Sequence, residues 1–533
     1  MFHLFKRPIS SRWVILAVSL FWLITANQAF FRHVVQVYPL TWENLPAIAS
    51  LAVLLVGVTV LLLTLLSNRW ILKPLLITLL MVTSSVAYFI DTYDIVINTE
   101  MITNVVQTNV NESADLLSWT MALYILVLGV LPSLVVYRLN IVYPRIGKQL
   151  IEDGKTIGVT LAAVLALVFA FSKFYTSFFR EHKPLRYYAN PSYYLYSLGK
   201  YTSDAFSARN MPFKLLGEDA RNDPADTDRE LIILVVGEAV RVDHFALNGY
   251  TRDTNPLLSR EKIINFPDVS SCGTETAVSV PCMFSHLGRE EYDKDEAAST
   301  ENVLDILSRA GVNVLWRDNN SDSKGVAKRL AYEDFKSPDT NPVCDVECRD
   351  EGMLAGLDEY IKAHPKGDIL IVLHQMGNHG PAYYKRYPKE FEKFTPVCRS
   401  NQLQECSREE IVNAYDNTLL YTDHVLSQVI SLLKKHDDTF ETAMFYMSDH
   451  GESLGENGLY LHGFPYAIAP DAQKKVPAVM WFGNRFRIDR DQLAQKAAQP
   501  YTHDHLFHTL LNLFEVKTSV YRPELDMLNG MRK

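Results

Sequence analysis

Cysteine is absent from the first 271 residues of this 533-residue chain, and lysine and arginine are absent from positions 74–137. The six cysteines, all in the later part, are Cys272, Cys282, Cys344, Cys348, Cys398 and Cys406, with no CxxC spacing among them. That lack argues against a zinc ribbon or a thioredoxin-type redox motif. An even set falling as three sequence-local pairs points to disulfides in an oxidising compartment. Six cysteines allow many pairings, of which the nearest-neighbour scheme is one, so connectivity stays open. Excess positive charge is also missing. The net charge of −9 argues against bulk nucleic-acid binding, so an anionic substrate must be met by local cations or a metal.

What is present divides sharply. Roughly the first 175 residues are dominated by apolar runs, and everything after about 225 has a globular composition. Runs near 13–31, 47–67, 70–90, 117–137 and 157–176 approach or reach the length of about 20 residues that a helix needs to cross a bilayer. The first has no small-x-small cleavage site, so it reads as an uncleaved anchor. Basic residues mark the cytoplasmic side: Lys6, Arg7 and Arg12 before the first span, Arg69 and Lys73 between the second and third, and Arg138, Arg145, Lys148 and Lys155 before the fifth. The 91–116 loop, free of Lys and Arg, belongs outside. Five spans with a cytoplasmic N-terminus put residues 177–533 outside too, in line with the cysteines. The expected division is a five-helix membrane domain over 1–176, a tyrosine-rich connector over 177–228 and a catalytic domain over 229–533.

In the last segment short apolar runs alternate with helical ones. Leu231–Gly237, Val312–Trp316, Ile369–Leu373, Thr442–Met447 and Val476–Phe482 read as buried parallel strands, with helices over Thr300–Ala310 and Ile411–Lys435. The alternation predicts an α/β doubly wound sheet, whose ligands bind beyond the carboxyl ends of its strands. At those ends stand Glu238, the run from His374 to His379, and Ser448-Asp449-His450-Gly451-Glu452, with His462 shortly after. Singly, a strand-end acid is a helix cap and a histidine is packing. Together, carboxylate oxygen and imidazole nitrogen suit zinc or manganese. The segment Ser271–Cys282 reads as a loop entering a helix. Thr274 or Thr276 there serves either as a plain cap or as a nucleophile at a helix N-terminus that favours negative charge.

Five stretches carry a resemblance: VVGEAVRVDHFALNGYTRDTNP (235–256), SCGTETAVSVPCMFS (271–285), WRDNNSDSKG (316–325), GNHGPAYYKRYP (377–388) and SDHGESLGENGLYLHGFPYAIAP (448–470). They closely resemble the lipid A phosphoethanolamine transferases, including the mobile colistin-resistance enzymes, and the likeness covers essentially the whole chain. It implies an alkaline-phosphatase/sulfatase-like domain behind a five-span anchor in the bacterial inner membrane, with the domain in the periplasm. It further implies one zinc on Glu238, Thr276, Asp449 and His450, with room for a second. Thr276 would accept phosphoethanolamine from phosphatidylethanolamine and pass it to lipid A, lowering polymyxin susceptibility. His379, His462, Asn320 and Lys324 match substrate-binding positions, as do Asn104, Thr108 and Glu112 of the outer loop. Membrane lipids are the expected partners of a monomeric enzyme. A lipopolysaccharide core sugar or Kdo as acceptor, a phosphoglycerol transferase and an inactive lipid-binding scaffold are the alternatives. Ala239-Val240 departs from the Thr-Ser the family pattern leads one to expect after Glu238, and Cys344 and Cys348 stand closer together than in that pattern.

Overall fold

The structure is a computed structural model that describes residues 8–107, 116–180, 182–208, 211–222 and 228–532. Lys6, Arg7, Thr108 and Glu112 lie outside the described residues. The chain forms two compact units: Met1–Ile102 with Leu117–Tyr201, and Thr103–Leu116 with Thr202–Lys533.

The first unit includes helices α1 (Ser11–Thr25), α2 (Gln28–Val37), α3 (Leu45–Leu65), α4 (Leu72–Tyr93), α6 (Trp119–Arg138) and α7 (Ile146–Ala170); α5 (Thr99–Gln107), between α4 and α6 in the chain, is divided between the two units. Among the described residues four helices are long and apolar enough to span a membrane, five if α1 and α2 count as one bent span. The bend of 58° at Ala26–Asn27 interrupts what the sequence presents as one run. Its cause is Asn27, whose side-chain amide donates to the Trp22 carbonyl (3.0 Å) and to the Asn190 carbonyl (2.9 Å); an amide inserted into the backbone ladder is an ordinary source of a kink. The basic segments meet at one end of this bundle. Arg12 pairs with Glu152 (2.8 Å), Ser67 donates to Asp153 (2.8 Å), and Lys73 donates to the carbonyls of Tyr137 and Leu139.

The second unit is a layered α/β body around an eight-stranded sheet. Its strands are β1 (Glu230–Gly237), β2 (Ile263–Ser270), β3 (Asn313–Asp318), β4 (Ala331–Asp334), β5 (Ile369–His374), β6 (Glu441–Ser448), β7 (Lys475–Phe482) and β8 (Tyr501–Thr502), in the order β8-β2-β7-β6-β1-β5-β3-β4. Every residue of β1, β5 and β6 is buried, because helices cover both faces and a Val/Ile/Leu run has no polar side to show. β1 runs parallel to β5 and β6, and β3 runs parallel to β4 and β5.

One expectation is corrected. Val476–Phe482, read as a parallel strand, lies in β7 and runs antiparallel to both β2 and β6. A strand buried on both faces gives the same apolar run in either direction, so composition does not encode its sense. β2, with its partly buried pattern and internal Pro267, carries no such run and goes unannounced in the sequence.

Three helices of this unit bear on the edge where the strands end: α8 (Thr276–Met283), α9 (Val303–Arg309) and α10 (Arg408–Lys434). α9 and α10 begin with reciprocal capping boxes, Asn302 with Asp305 and Ser407 with Glu410. α8 starts differently: Glu275 precedes it in extended conformation and contributes no side-chain cap. Its first N–H groups are thus left to meet something other than a capping side chain.

Candidate active site

β1, β5 and β6 are parallel neighbours, so their carboxyl ends open on one edge and present Glu238, His374 and Asp449-His450 together. The extended residue before α8 turns Thr276 onto the same edge. Neither threonine of this loop caps the helix. Thr274 donates to the Phe464 carbonyl (2.6 Å), and Thr276 donates to Glu238 Oε2 (3.1 Å) while lying 3.4 Å from His450 Nε2. His450 Nε2 is 3.3 Å from Glu238 Oε1 and 3.5 Å from Asp449 Oδ2. All four side chains are buried, and ligand atoms of Glu238, Asp449 and His450 fall within 4.8 Å of one another.

Two oxygens aimed into this cluster, Glu238 Oε1 and Asp449 Oδ2, accept no hydrogen bond. An unsatisfied carboxylate oxygen in a dry interior is costly, and a divalent cation is the group that would satisfy both. The remaining polar atoms are already committed. Glu238 Oε2 accepts from Asn320 (2.8 Å), Asp449 Oδ1 accepts the N–H groups of Ala239 (3.2 Å) and His450 (2.7 Å), and His450 Nδ1 faces the Gly451 carbonyl (2.9 Å). That last contact leaves Nε2 as the nitrogen that could ligate a cation. Gly377 packs so close that a Cβ would lie 3.0 Å from the Glu238 carbonyl oxygen, and it holds φ +51 besides; only glycine fits here.

The electrostatics agree with a cation site. Burial, and then the Glu238 charge, raise Asp449 to about 7. Burial also works against ionisation of Glu238, but His450 overcomes it and holds that carboxyl well below its usual range. His450 is raised to about 10: burial opposes its charge, and Asp449 and Glu238 outweigh the burial. Without a cation the cluster keeps protons that an ion would displace.

A second ring of residues surrounds the first. His462 Nδ1 faces Glu452 Oε2 (2.9 Å), whose other oxygen accepts from the Tyr383 hydroxyl (2.9 Å). The His462 ring lies 4.4 Å from that of His450 and 5.3 Å from that of His379. His450, Glu452 and His462 also group as cation-binding side chains, and His379 Nδ1 is buried with no partner. Lys324 Nζ is buried and unpartnered as well. Lys324 lines a cavity of about 210 Å³ with Ala277, the neighbour of Thr276. Asn104 lies on α5, half-buried.

Several supports carried no sequence signal. His503 bridges the Thr276 loop to the end of β6, accepting from the Cys272 N–H (3.1 Å) and donating to the Ser448 carbonyl (3.0 Å). Burial drives its pKa down to about 3, so it stays neutral and uses both ring nitrogens. Asp318 accepts from Trp316 (2.9 Å), from the Asn320 N–H (3.0 Å) and at 2.9 Å from His374 Nδ1, which braces Asn320 behind Glu238. The cysteines pair as Cys272–Cys282, Cys344–Cys348 and Cys398–Cys406. The first of these bridges encloses Thr276.

The chain as a whole is similar to known proteins. A sulfatase family model matches residues 230–516, and one described as phosphoethanolamine transferase EptA/EptB matches residues 55–206. Phosphatidylethanolamine transferase Mcr-2 of Escherichia coli is 47% identical over 512 residues, 94% of each chain. Phosphoethanolamine transferase EptA of E. coli K12 is 42% identical over 544 residues, covering 100% of this chain and 99% of its own. The solved integral membrane lipooligosaccharide phosphoethanolamine transferase A of Neisseria meningitidis superposes with a TM-score of 0.94 at 37% identity, covering 99% of this chain and 100% of that one. With its membrane helices, its sulfatase-type sheet and these relatives along its full length, the chain belongs to the phosphoethanolamine transferases, multi-pass inner-membrane enzymes with a C-terminal periplasmic domain.

Proposed function

We propose that this enzyme transfers phosphoethanolamine from phosphatidylethanolamine to lipid A through a covalent intermediate on Thr276. One observation carries the assignment of the nucleophile: a buried hydroxyl at the uncapped start of α8, 3.1 Å from Glu238 and 3.4 Å from His450, facing two carboxylate oxygens that lack partners. Glu238, Thr276, Asp449 and His450 would hold the cation, and the mixed oxygen and nitrogen donors support zinc, with manganese the alternative. When bound, it lowers the pKa of the hydroxyl and neutralises phosphoryl charge. A second ion, if the enzyme uses one, has His379 and His462 to bind it.

In the first half-reaction Thr276 Oγ forms a bond to the donor's phosphorus, and the bond from phosphorus to the glycerol oxygen breaks. Glu238 Oε2 is the acceptor to which the hydroxyl proton already points. His462, oriented through Nδ1 by Glu452, offers Nε2 as the proton donor to the departing diacylglycerol oxygen. In the second half-reaction a phosphate oxygen of lipid A attacks the same phosphorus and Thr276 leaves. Lys324, Asn320 and His379 bind phosphoryl oxygens, where positioning and fixed charge supply most of the rate. Asn104, Thr108 and Glu112 grip the donor head group. Residues 1–176 serve as the anchor that confines the enzyme to the bilayer holding both lipids, 177–228 as the connector and 229–533 as the catalytic domain; the chemistry needs one chain only.

Intact mass of lipid A from cells expressing the wild type should rise by one phosphoethanolamine unit, with lowered polymyxin susceptibility. Cells expressing Thr276→Ala should show neither. Addition to a core sugar or Kdo would move the acceptor, addition of phosphoglycerol would change the donor, and full activity in Thr276→Ala would end the proposal.

A further inference from the structure

Ala239 adjoins Glu238 and adopts the left-handed conformation, φ +57. A residue with a Cβ holds that conformation only where its surroundings enforce it. It is also half of the Ala239-Val240 pair at which this sequence departs from the family pattern. Four contacts restrain this elbow. The Ala239 N–H donates to Asp449 Oδ1 (3.2 Å), the Val240 N–H donates to Ser448 Oγ (2.9 Å), and the Glu238 carbonyl accepts the Asn378 N–H (3.0 Å). The fourth comes from Tyr415, the eighth residue of α10: its hydroxyl donates to the Ala239 carbonyl (2.7 Å) and accepts the Arg241 N–H (2.9 Å). The tyrosine is fully buried and wedged edge-on between Tyr383 and His244, with ring centroids 5.5 Å away on each side.

The elbow is tied to both carboxylates of the cluster, to Glu238 by a covalent bond and to Asp449 by a hydrogen bond. We propose that Tyr415 is a positioning residue for the cation site, holding the left-handed Ala239 peptide so that Glu238 and Asp449 converge. It touches neither substrate nor the reacting atoms, and its role rests on the cluster being a cation site. Without the hydroxyl, the Ala239 carbonyl and the Arg241 N–H would be buried and unpaired. The peptide would then relax out of its strained conformation, turning its N–H away from Asp449 and shifting Glu238. Groups that orient a metal's ligands from behind change its affinity by about 10–100-fold.

The test is zinc titration into metal-stripped, full-length protein in detergent, scored with a competing chelator. Thermal melting in excess chelator serves as the folding control. Tyr415→Phe should bind zinc roughly tenfold or more weakly. Ala239→Gly, free of left-handed strain, should bind like the wild type, and adding Tyr415→Phe to it should cost much less than in the wild-type background. Unchanged affinity in Tyr415→Phe, or an equal loss in both backgrounds, overturns the proposal, the latter because general packing would explain it. If Tyr415→Phe does not fold, Ser448→Ala removes another of the elbow's tethers, and unchanged zinc affinity there overturns it too. A wild-type chain that takes up no zinc removes the cation site along with the role of Tyr415, whereas wild-type binding matched by Tyr415→Phe removes only the latter.

Discussion

At the scale of single residues, Thr276 gathers three favourable conditions on one oxygen: a helix start without a capping side chain, a carboxylate to take its proton, and an imidazole nitrogen within 3.4 Å. Thr276→Ala should therefore lose about 10³-fold or more in transfer rate, on the scale of deleting an enzyme's nucleophile. Its folding should be unaffected, because the hydroxyl caps nothing; rate assays with a thermal melt check both. Thr276→Ser, which keeps the oxygen, should retain measurable transfer. Arg532 tests stability apart from chemistry. It reaches the buried Glu230 and Glu441 and also Glu515. Arg532→Ala removes a cation from two buried carboxylates, one of which, Glu441, keeps Arg487 at 3.8 Å, and should cost about 1.5–3 kcal/mol, seen as a lower denaturant midpoint with the chemistry of the remaining folded fraction intact. The convergence of Glu238, Asp449 and His450 was legible in the sequence because a parallel sheet delivers the residues just past its strands to one edge. Tyr415 and His503 were not, since each acts through contacts with residues tens to hundreds of positions away, to which no local pattern corresponds, and Asp318 joins two near neighbours to His374, 56 positions on.

At the scale of elements, the pairing of β3 with β5 makes a pH-sensitive joint. Asp318 and His374 face each other at 2.9 Å with both side chains buried. Burial opposes both charges, yet each partner wins for the other: the histidine's pKa is raised above its ordinary 6.5 and the aspartate's lowered below 3.8. The histidine's contribution to stability is full below 6.5 and is lost as pH climbs through its raised folded value. The aspartate's is full above 3.8 and is lost as pH falls through its lowered folded value. The pair should therefore stabilise most between pH 3.8 and 6.5, and Asp318→Asn should flatten the pH dependence of the melting temperature across and beyond that window. An unaltered profile would show that the pair contributes nothing. The Cys272–Cys282 bridge encloses the start of α8, and removing both cysteines should cost about 2–5 kcal/mol, measurable as a lower melting temperature under non-reducing conditions. Elements were legible where periodicity or burial is strong, as for β1, β5, β6 and α10. The antiparallel sense of β7 and the break between α1 and α2 were not: the first depends on neighbours, the second on a hydrogen bond from Asn27 to Asn190 across the sequence.

At the scale of the whole molecule, the charge pattern and the cysteine pattern lead to one arrangement by separate routes. Basic residues gather at one end of the helical bundle, while all six cysteines are paired in the catalytic unit. A net negative enzyme acting on anionic lipids needs concentrated positive charge, which on the proposed reading the bound cation and Lys324 would supply. Chelation should abolish transfer and lower the melting temperature, by the linkage expected of any ion that binds only the folded chain. Because burial and the Glu238 charge raise Asp449, and Asp449 and Glu238 raise His450 against its burial, zinc affinity should weaken on acidification, by about tenfold per pH unit for each proton displaced.

The covalent step itself is open to direct view. Purified full-length enzyme incubated with phosphatidylethanolamine and no acceptor, then quenched in acid and digested, should yield the peptide containing Thr276 carrying one phosphoethanolamine group on that residue, and the adduct should disappear once lipid A is added. Turnover with no adduct on Thr276, or with the group on another side chain, would contradict the account.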